Sequence, residues 1–390
     1  KKLITLAVAA AMVAPAAAMA DATLYGKLHQ SIDYLSQDDY EVLVFDEDTE
    51  RFVPVSIDGF SGWAINRTDG RIIPGNGPVG PSNRIGVKGS EDLGNGLKAI
   101  YQVELGVTLS DRDYFPTNGD RGNGLNMRNA FVGLAGGWGT FLVGRHDTPL
   151  KISTGKLDLF ADTMADYNGP LGFVDLRVDN AVAYISPSFS GFQFMGAMHA
   201  GGAGSIEGRY NVDNDSLASA YSLAAIYSNG PWYASVAYES LSTDLSRDVS
   251  IFEDEDRLLD PFSDNNKWRF GLGILDWNGF TLTGIYETRE NVLFLEDQDS
   301  NSWEVQAGYS FGNNMVKAAY GSLDRDSNDD DDDLIDDIRD FSFDADLNQW
   351  TIAFDHNFSK RTKVYALYNN VDDDLLPGWD GFSLGVVHSF

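Results

Sequence analysis

GFSLGVVHSF, at 381–390, reads as a β-strand with two unlike faces. Phe382, Leu384, Val386, His388 and Phe390 share one side while Ser383, Gly385 and Ser389 lie on the other, the period-2 pattern of an extended chain. Termini ordinarily fray unless something ties them down, so a strand running to an aromatic at Phe390 is expected to be built into the fold. The alternation recurs upstream. Trp303, Val305, Ala307, Tyr309 and Phe311 oppose Ser302, Glu304, Gln306, Gly308 and Ser310. Trp268, Phe270, Leu272 and Ile274 oppose Lys267, Arg269, Gly271 and Gly273, and Trp350, Ile352 and Phe354 oppose Gln349, Thr351 and Asp355. One face takes large apolar side chains; the other takes charges, amides and glycine.

Two architectures meet that description. In a sandwich the apolar faces form a shared core, whereas in a membrane barrel they meet lipid and the polar faces line a lumen. Connection lengths separate the two. Short turns near 94–96, 136–138, 188–190, 229–231, 277–279, 313–314 and 359–361 alternate with long polar segments at 36–81, 110–124, 147–176, 201–217, 242–266, 291–301, 324–347 and 371–378. Aromatics gather beside the short turns: Trp138 and Phe141, Phe189 and Phe192, Trp232 and Tyr233, Trp277 and Phe280, Phe311, Phe358. Short connections on one rim, long ones on the other and an aromatic girdle are the marks of a transmembrane barrel. Fifteen connections imply about sixteen antiparallel strands, wide enough for an aqueous channel. A sandwich of this length needs roughly three domains, and no linkers are visible.

Lys1 and Lys2, the apolar run Leu3 to Val13 and Ala18-Met19-Ala20 read as a signal peptide over 1–20, cleaved before Asp21. The remainder, 21–390, is expected to form a single barrel domain. No later run approaches the ~18 apolar residues of a membrane-spanning helix. The formal net charge is −31, and two units more negative once Lys1 and Lys2 leave with the leader. Such acidity excludes a general nucleic-acid surface. With no cysteine there is neither a disulfide nor a thiolate metal site.

Chemical motifs do not point to an enzyme. Gly308-Tyr309-Ser310-Phe311-Gly312 fits the G-x-S-x-G pattern, but a nucleophile elbow requires strand, sharp turn and helix, and this stretch ends a strand at a hairpin. The five histidines are scattered without metal-ligand spacing, and no cofactor is implied. The acidic run Asp329, Asp330, Asp331, Asp332 and Asp333 lies in the long segment 324–347; counted from Asp324, position six is Asp329 and position twelve Ile335, where an EF-hand needs Gly and Glu. It reads as a solvated, self-repelling outer loop, with weak divalent-cation binding that bridges lipopolysaccharide phosphates as the sharper alternative.

Several stretches together are similar to one family: ATLYGKL at 22–28, SNRIGVKGSEDLGNGLKAIYQVE at 82–104, MRNAFVGLAGGWGTFLVGRHDTP at 127–149, RVDNAVAYISPSFSGFQF at 177–194, and Phe390. They resemble the general diffusion porins of Gram-negative outer membranes. The resemblance implies a homotrimer of sixteen-stranded barrels in the outer membrane, beside lipopolysaccharide. It also implies passage of ions and small hydrophilic solutes, the third long loop folded inward to narrow the channel, and a terminal Phe390 read by the barrel-assembly machinery. It further implies a basic ladder on the wall, which falls here on Lys27, Arg84, Arg128 and Arg177. Alternation agrees, since Lys27 shares parity with His29, Ser31 and Asp33, and Arg177 with Asp179. At mid-depth facing lipid, each would cost roughly 2 to 4 kcal/mol.

The third loop, 147–176, earns attention on its own composition. It exceeds ordinary loop lengths and carries apolar anchors at Leu157, Leu159, Phe160, Met164, Tyr167, Leu171 and Phe173. Asp158, Asp162 and Asp166 recur every fourth residue, a spacing that on a helix would bring all three carboxylates to one face. They are expected to oppose the basic ladder across the neck, the alternative being a solvated outer loop. The enteric Pro-Glu-Phe-Gly-Gly run is replaced here by Asp166-Tyr167-Asn168-Gly169-Pro170, which leaves open which acid lies at the neck. The acidity of the outer loops argues for cations and the basic ladder for anions; the balance leans to cations. A solute-selective channel with weak saturable binding is the main alternative, and an outer-membrane enzyme or adhesin a remoter one.

Overall fold

The computed structural model describes residues 22–46, 51–65, 82–110, 124–200, 217–242, 263–292, 298–327 and 345–390. The expected signal peptide at 1–20 and the acidic run Asp329 to Asp333 lie outside the described residues. The chain opens with β1 (Thr23–Gln37), a hairpin of β2 (Tyr40–Asp46) and β3 (Arg51–Ile57), and β4 (Phe60–Ile65). β5 (Arg84–Gly94), β6 (Leu97–Val107), β7 (Leu125–Gly136) and β8 (Gly139–Asp147) lead to a short helix, α1 (Pro149–Thr154). After a long coil come β9 (Arg177–Ile185), β10 (Phe192–His199), β11 (Ala220–Asn229), β12 (Trp232–Leu241), β13 (Asn265–Trp277) and β14 (Phe280–Glu290). β15 (Gln298–Phe311), β16 (Asn314–Ser327), β17 (Ala345–Asn357), β18 (Thr362–Asp373) and β19 (Trp379–Ser389) complete the chain.

Neighbouring strands pair antiparallel around a closed barrel of sixteen positions. The sheet holds seventeen strands because one position is divided. Ile32 to Gln37 of β1 pair with β4, while Thr23 to Lys27 pair with β5 on the same edge. The other edge of β1 pairs with β19, from Lys27 opposite Ser389 to Gln37 opposite Trp379. Phe390 finishes the seam, exchanging both backbone hydrogen bonds with Gly26 at 3.1 Å. The closed ladder leaves no free edge to lipid, where each unpaired backbone group costs several kcal/mol.

Seven tight turns fall where the short connections were expected, and the two faces sort as the alternation predicts. Ser302, Glu304 and Gln306 are buried while Trp303 and Val305 point outward, exposed on the isolated chain. Most aromatics beside the turns also face outward, Trp138, Phe189, Phe192, Trp232, Trp277 and Phe358 being exposed, but Tyr233 alternates to the inner face and is buried, its hydroxyl donating to Ser153 O at 2.8 Å. Two details differ. The segment 36–81, expected to be loop, contains β2, β3 and β4; the charged residues punctuating YEVLVFD and RFVPVSI disguise their extended pattern. The last connection is shorter than expected, since β18 reaches Asp373 and β19 begins at Trp379.

The main apolar cluster lies between the 148–176 segment and the inner wall. Leu150, Leu157, Phe160, Met164, Tyr167, Leu171 and Phe173 of that segment are at most 4% exposed, and they pack with wall residues including Ala224, Tyr233, Ala237, Ile285 and Leu323. Wall glycines make the space. A Cβ at Gly271 would meet Leu157 Cδ1 at 2.5 Å, one at Gly321 Leu171 Cδ1 at 2.5 Å, and one at Gly381 Met164 Sδ at 2.9 Å.

Candidate pore constriction

β8 delivers the chain to Thr148, whose hydroxyl accepts from Lys151 N and caps α1; Pro149 fits the first turn. Beyond Gly155 the helix gives way to a series of tight turns. Backbone bonds run from Leu157 N to Thr154 O, Thr163 N to Phe160 O, Asp166 N to Thr163 O, Gly169 N to Asp166 O and Gly172 N to Gly169 O. Five wall strands hold the turns. Thr283 Oγ1 donates to Leu157 O at 2.8 Å, Lys317 Nζ to Leu159 O at 2.6 Å and Ser302 Oγ to Leu171 O at 2.8 Å. Gln349 Nε2 donates to Ala165 O at 3.3 Å. Arg269, fully buried, reaches Asp175 Oδ1 at 2.5 Å, Glu287 Oε2 at 2.6 Å and Thr154 Oγ1 at 3.1 Å, with its guanidinium over Tyr167 and Phe173.

The three aspartates therefore do not share a helical face. Asp162 sits at φ 63°, outside helical geometry, and the carboxylates of Asp158 and Asp166 bond local amides, a competition that draws Asp from helices into turns. Asp162 alone meets the basic ladder, 2.6 Å from Lys27 Nζ and 3.6 Å from Arg84 Nη1. Asp158 accepts from Phe160 N at 2.7 Å and lies 3.4 Å from Gln306 Nε2. Asp166 accepts from Asp162 N at 2.8 Å and Asn168 N at 2.9 Å.

Their protonation follows from these surroundings. Burial pushes Asp162 up, but Lys27 and Arg84 outweigh it and hold the carboxyl below the usual range. Burial lifts Asp158 well above that range, helped by the charges of Asp166 and Glu304. Burial raises Asp166 to about 6, opposed by its bonds from Asp162 N and Asn168 N.

The four basic residues also separate. Arg128 donates to Glu104 Oε1 at 2.6 Å and Ser82 Oγ at 3.0 Å, on the side of Lys27 and Arg84. Arg177 is buried at the foot of the segment, 2.8 Å from Asp147 Oδ1 and 2.8 Å from Asn129 Oδ1. Sequence reading missed the roles of Glu104, Lys317, Lys363, Asp355 and Arg269. Parity marked Arg269 and Asp355 as polar-face residues, but nothing local identifies their partners.

A family model for Gram-negative porins matches residues 7–375. This chain belongs to that family. The porin is 27% identical over 379 residues to major outer membrane protein P.IB of Neisseria meningitidis serogroup B, covering 93% of this chain and 91% of that protein. It is 29% identical over 256 residues to an outer membrane porin protein of Bordetella pertussis, covering 62% of this chain and 60% of that one. Among solved structures, an anion-selective porin from Comamonas acidovorans aligns with TM-score 0.64 at 21% identity, over 95% of this chain and 99% of that one. Salmonella typhi OmpF aligns with TM-score 0.60 at 15% identity, over 95% and 97%. At those identities the structural likenesses speak for the fold, which agrees with an outer-membrane barrel.

Proposed function

We propose that this porin forms a water-filled pore through which ions and small hydrophilic solutes diffuse passively, with its neck between the 148–176 segment and the wall at Lys27, Arg84 and Arg128. The observation that carries the reading is Asp162: a carboxylate of a segment clasped by β13 to β17 meets two cations carried by β1 and β5. Opposed charges across a narrow aqueous neck orient water and dipolar solutes, and at physiological salt the screening length of about 8 Å keeps them effective there.

The trimeric state rests on family resemblance, and the same fold occurs in a structure described as a trimer form of Vibrio cholerae OmpT. Lipopolysaccharide at the outer rim and capture of Phe390 by the assembly machinery belong to the same reading. Nothing in it calls for catalysis: Ser310 lies on β15, which turns directly into β16 rather than into a helix. Planar-bilayer recordings test the proposal. Large ohmic steps in groups of three support a trimeric general pore, solute-blockable current supports a selective channel, and absence of current refutes both.

A further inference from the structure

Six of the seven tight turns carry no basic residue, but the last, 359–361, reads Ser-Lys-Arg. Lys360 and Arg361 are exposed, and among the described residues neither side chain has a hydrogen bond or an ion pair. The next cation, Lys363, turns inward to Asp355 at 2.8 Å, where Lys317 joins at 3.3 Å. Two adjacent free cations are unusual in a chain of net charge −31, and they mark this stretch of the rim.

Beyond them the outer face is hollowed. Register sets β17, β18, β19 and β1 side by side, with His356 opposite Val364, Val364 opposite Val386 and Val386 opposite Gln30. These side chains share the outward parity of Phe354, Leu384 and Ile32, all of which are exposed. Val364 and Ala366 make a low floor between Phe354 on one side and Ile32 and Ile65 on the other, leaving a groove of about 470 Å³. Phe358 and Phe390, both exposed, stand at its turn end. No Asp or Glu side chain shares this part of the outer face.

Gln30 interrupts the apolar lining. Its Nε2 is shut off from water and has no hydrogen-bond partner among the described residues. An amide donor facing lipid is costly to leave unpaired, so the position calls for an acceptor from outside the chain. Gln30 is level with Val364, three residues along β18 from Arg361, which is roughly 10 Å at about 3.3 Å per residue. From the rim inward the face therefore offers two cations, then an amide donor, then an apolar groove. A phospholipid presents the matching parts in that order: phosphodiester, ester carbonyl, acyl chain.

We propose that this face binds an anionic phospholipid, with Lys360 and Arg361 on its phosphodiester, Gln30 Nε2 on an ester carbonyl and one acyl chain in the groove over Val364 and Ala366. Tight turns mark the periplasmic rim of such a barrel, so the lipid belongs to that leaflet. The inference rests on the barrel standing in a membrane and is independent of what the pore conducts.

Native mass spectrometry of the detergent-solubilised barrel, with dioleoylphosphatidylglycerol or dioleoylphosphatidylcholine added in turn, tests it. One phosphatidylglycerol per subunit should be retained more strongly than phosphatidylcholine. The double variant Lys360→Gln/Arg361→Gln should weaken phosphatidylglycerol retention by roughly ten- to thirty-fold at low salt and abolish the preference. Gln30→Leu should weaken both lipids alike, since both carry ester carbonyls, and Ala366→Phe, which fills the floor, should displace both. Equal retention of the two lipids by the wild type, or retention unchanged in the charge variant, overturns the inference. An oligomer that falls apart on Ala366→Phe while its lipid adducts persist assigns the groove to a second copy of the chain and overturns it too. Single-channel conductance should keep its wild-type value in the charge variant, because neither cation faces the lumen, so failure here leaves the pore reading standing.

Discussion

Leu157 is the firmest test of how the 148–176 segment is seated on the wall. Its side chain is fully buried, its Cδ atoms rest where Cβ atoms on Gly271 and Gly273 would lie at 2.5 and 2.7 Å, and its carbonyl accepts from Thr283. Leu157→Ala removes three heavy atoms from a closed site and is expected to cost about 2 to 5 kcal/mol. Gly271→Ala adds a methyl that collides with Leu157 Cδ1 and with Ser235 Oγ at 2.6 Å, an overpacking worth about 1 to 3 kcal/mol. In the double variant the new methyl enters the volume vacated by Leu157, so the losses should fall short of additive by at least about 1 kcal/mol. Reversible urea unfolding in lipid vesicles measures the cycle. Each single variant should also record larger or noisier single-channel steps, since the barrel ladder is untouched while the segment lifts. Additive losses with wild-type conductance would refute seating of Leu157 in the glycine socket.

Further outcomes follow from the same geometry. Asp162→Asn leaves Lys27 and Arg84 without their shared carboxylate; anion preference in a salt gradient should rise, with about 0.2 to 1 kcal/mol of stability lost because the pair is partly solvated. Asp166 titrates near 6, above its unfolded value of 3.8, so the fold favours its protonated form. Its stabilising contribution is complete below about 4 and is lost as pH rises through about 6. Protection of 158–169 amides from hydrogen exchange should therefore increase on acidification from pH 7.5 to 5, and Asp166→Asn should flatten that response. At the seam, a Cβ on Gly26 would lie 2.4 Å from Phe390 Cζ and 2.7 Å from Arg84 O. Gly26→Ala and deletion of Phe390 should both lower the yield of assembled barrel, with wild-type conductance in whatever assembles; a normal yield would count against closure at this residue pair.

Much of this architecture was legible in the chain because period-2 sorting and turn chemistry are local. Ser302 to Phe311 face the directions their alternation dictates, and Gly94 to Gly96 or Asn278 and Gly279 turn where their positive φ permits. The inward parity of Lys27 and Arg84 follows from the same rule. Reading failed where one spacing had two meanings. Asp158, Asp162 and Asp166 suit one face of a helix, but they lie in turns whose geometry is set by bonds to wall residues more than a hundred positions away, such as Lys317 to Leu159 and Gln349 to Ala165.

By itself, then, the sequence determined a closed sheet with an apolar exterior and a polar interior, since each strand carries its own two faces and a lipid environment tolerates only one way of presenting them. Only the tertiary structure decided which charges meet. Asp162 was singled out from its two neighbours, Arg177 was taken to the foot of the segment, and Lys363 was brought beside Asp355, because side-chain partners across a barrel depend on register and loop seating rather than on spacing along the chain.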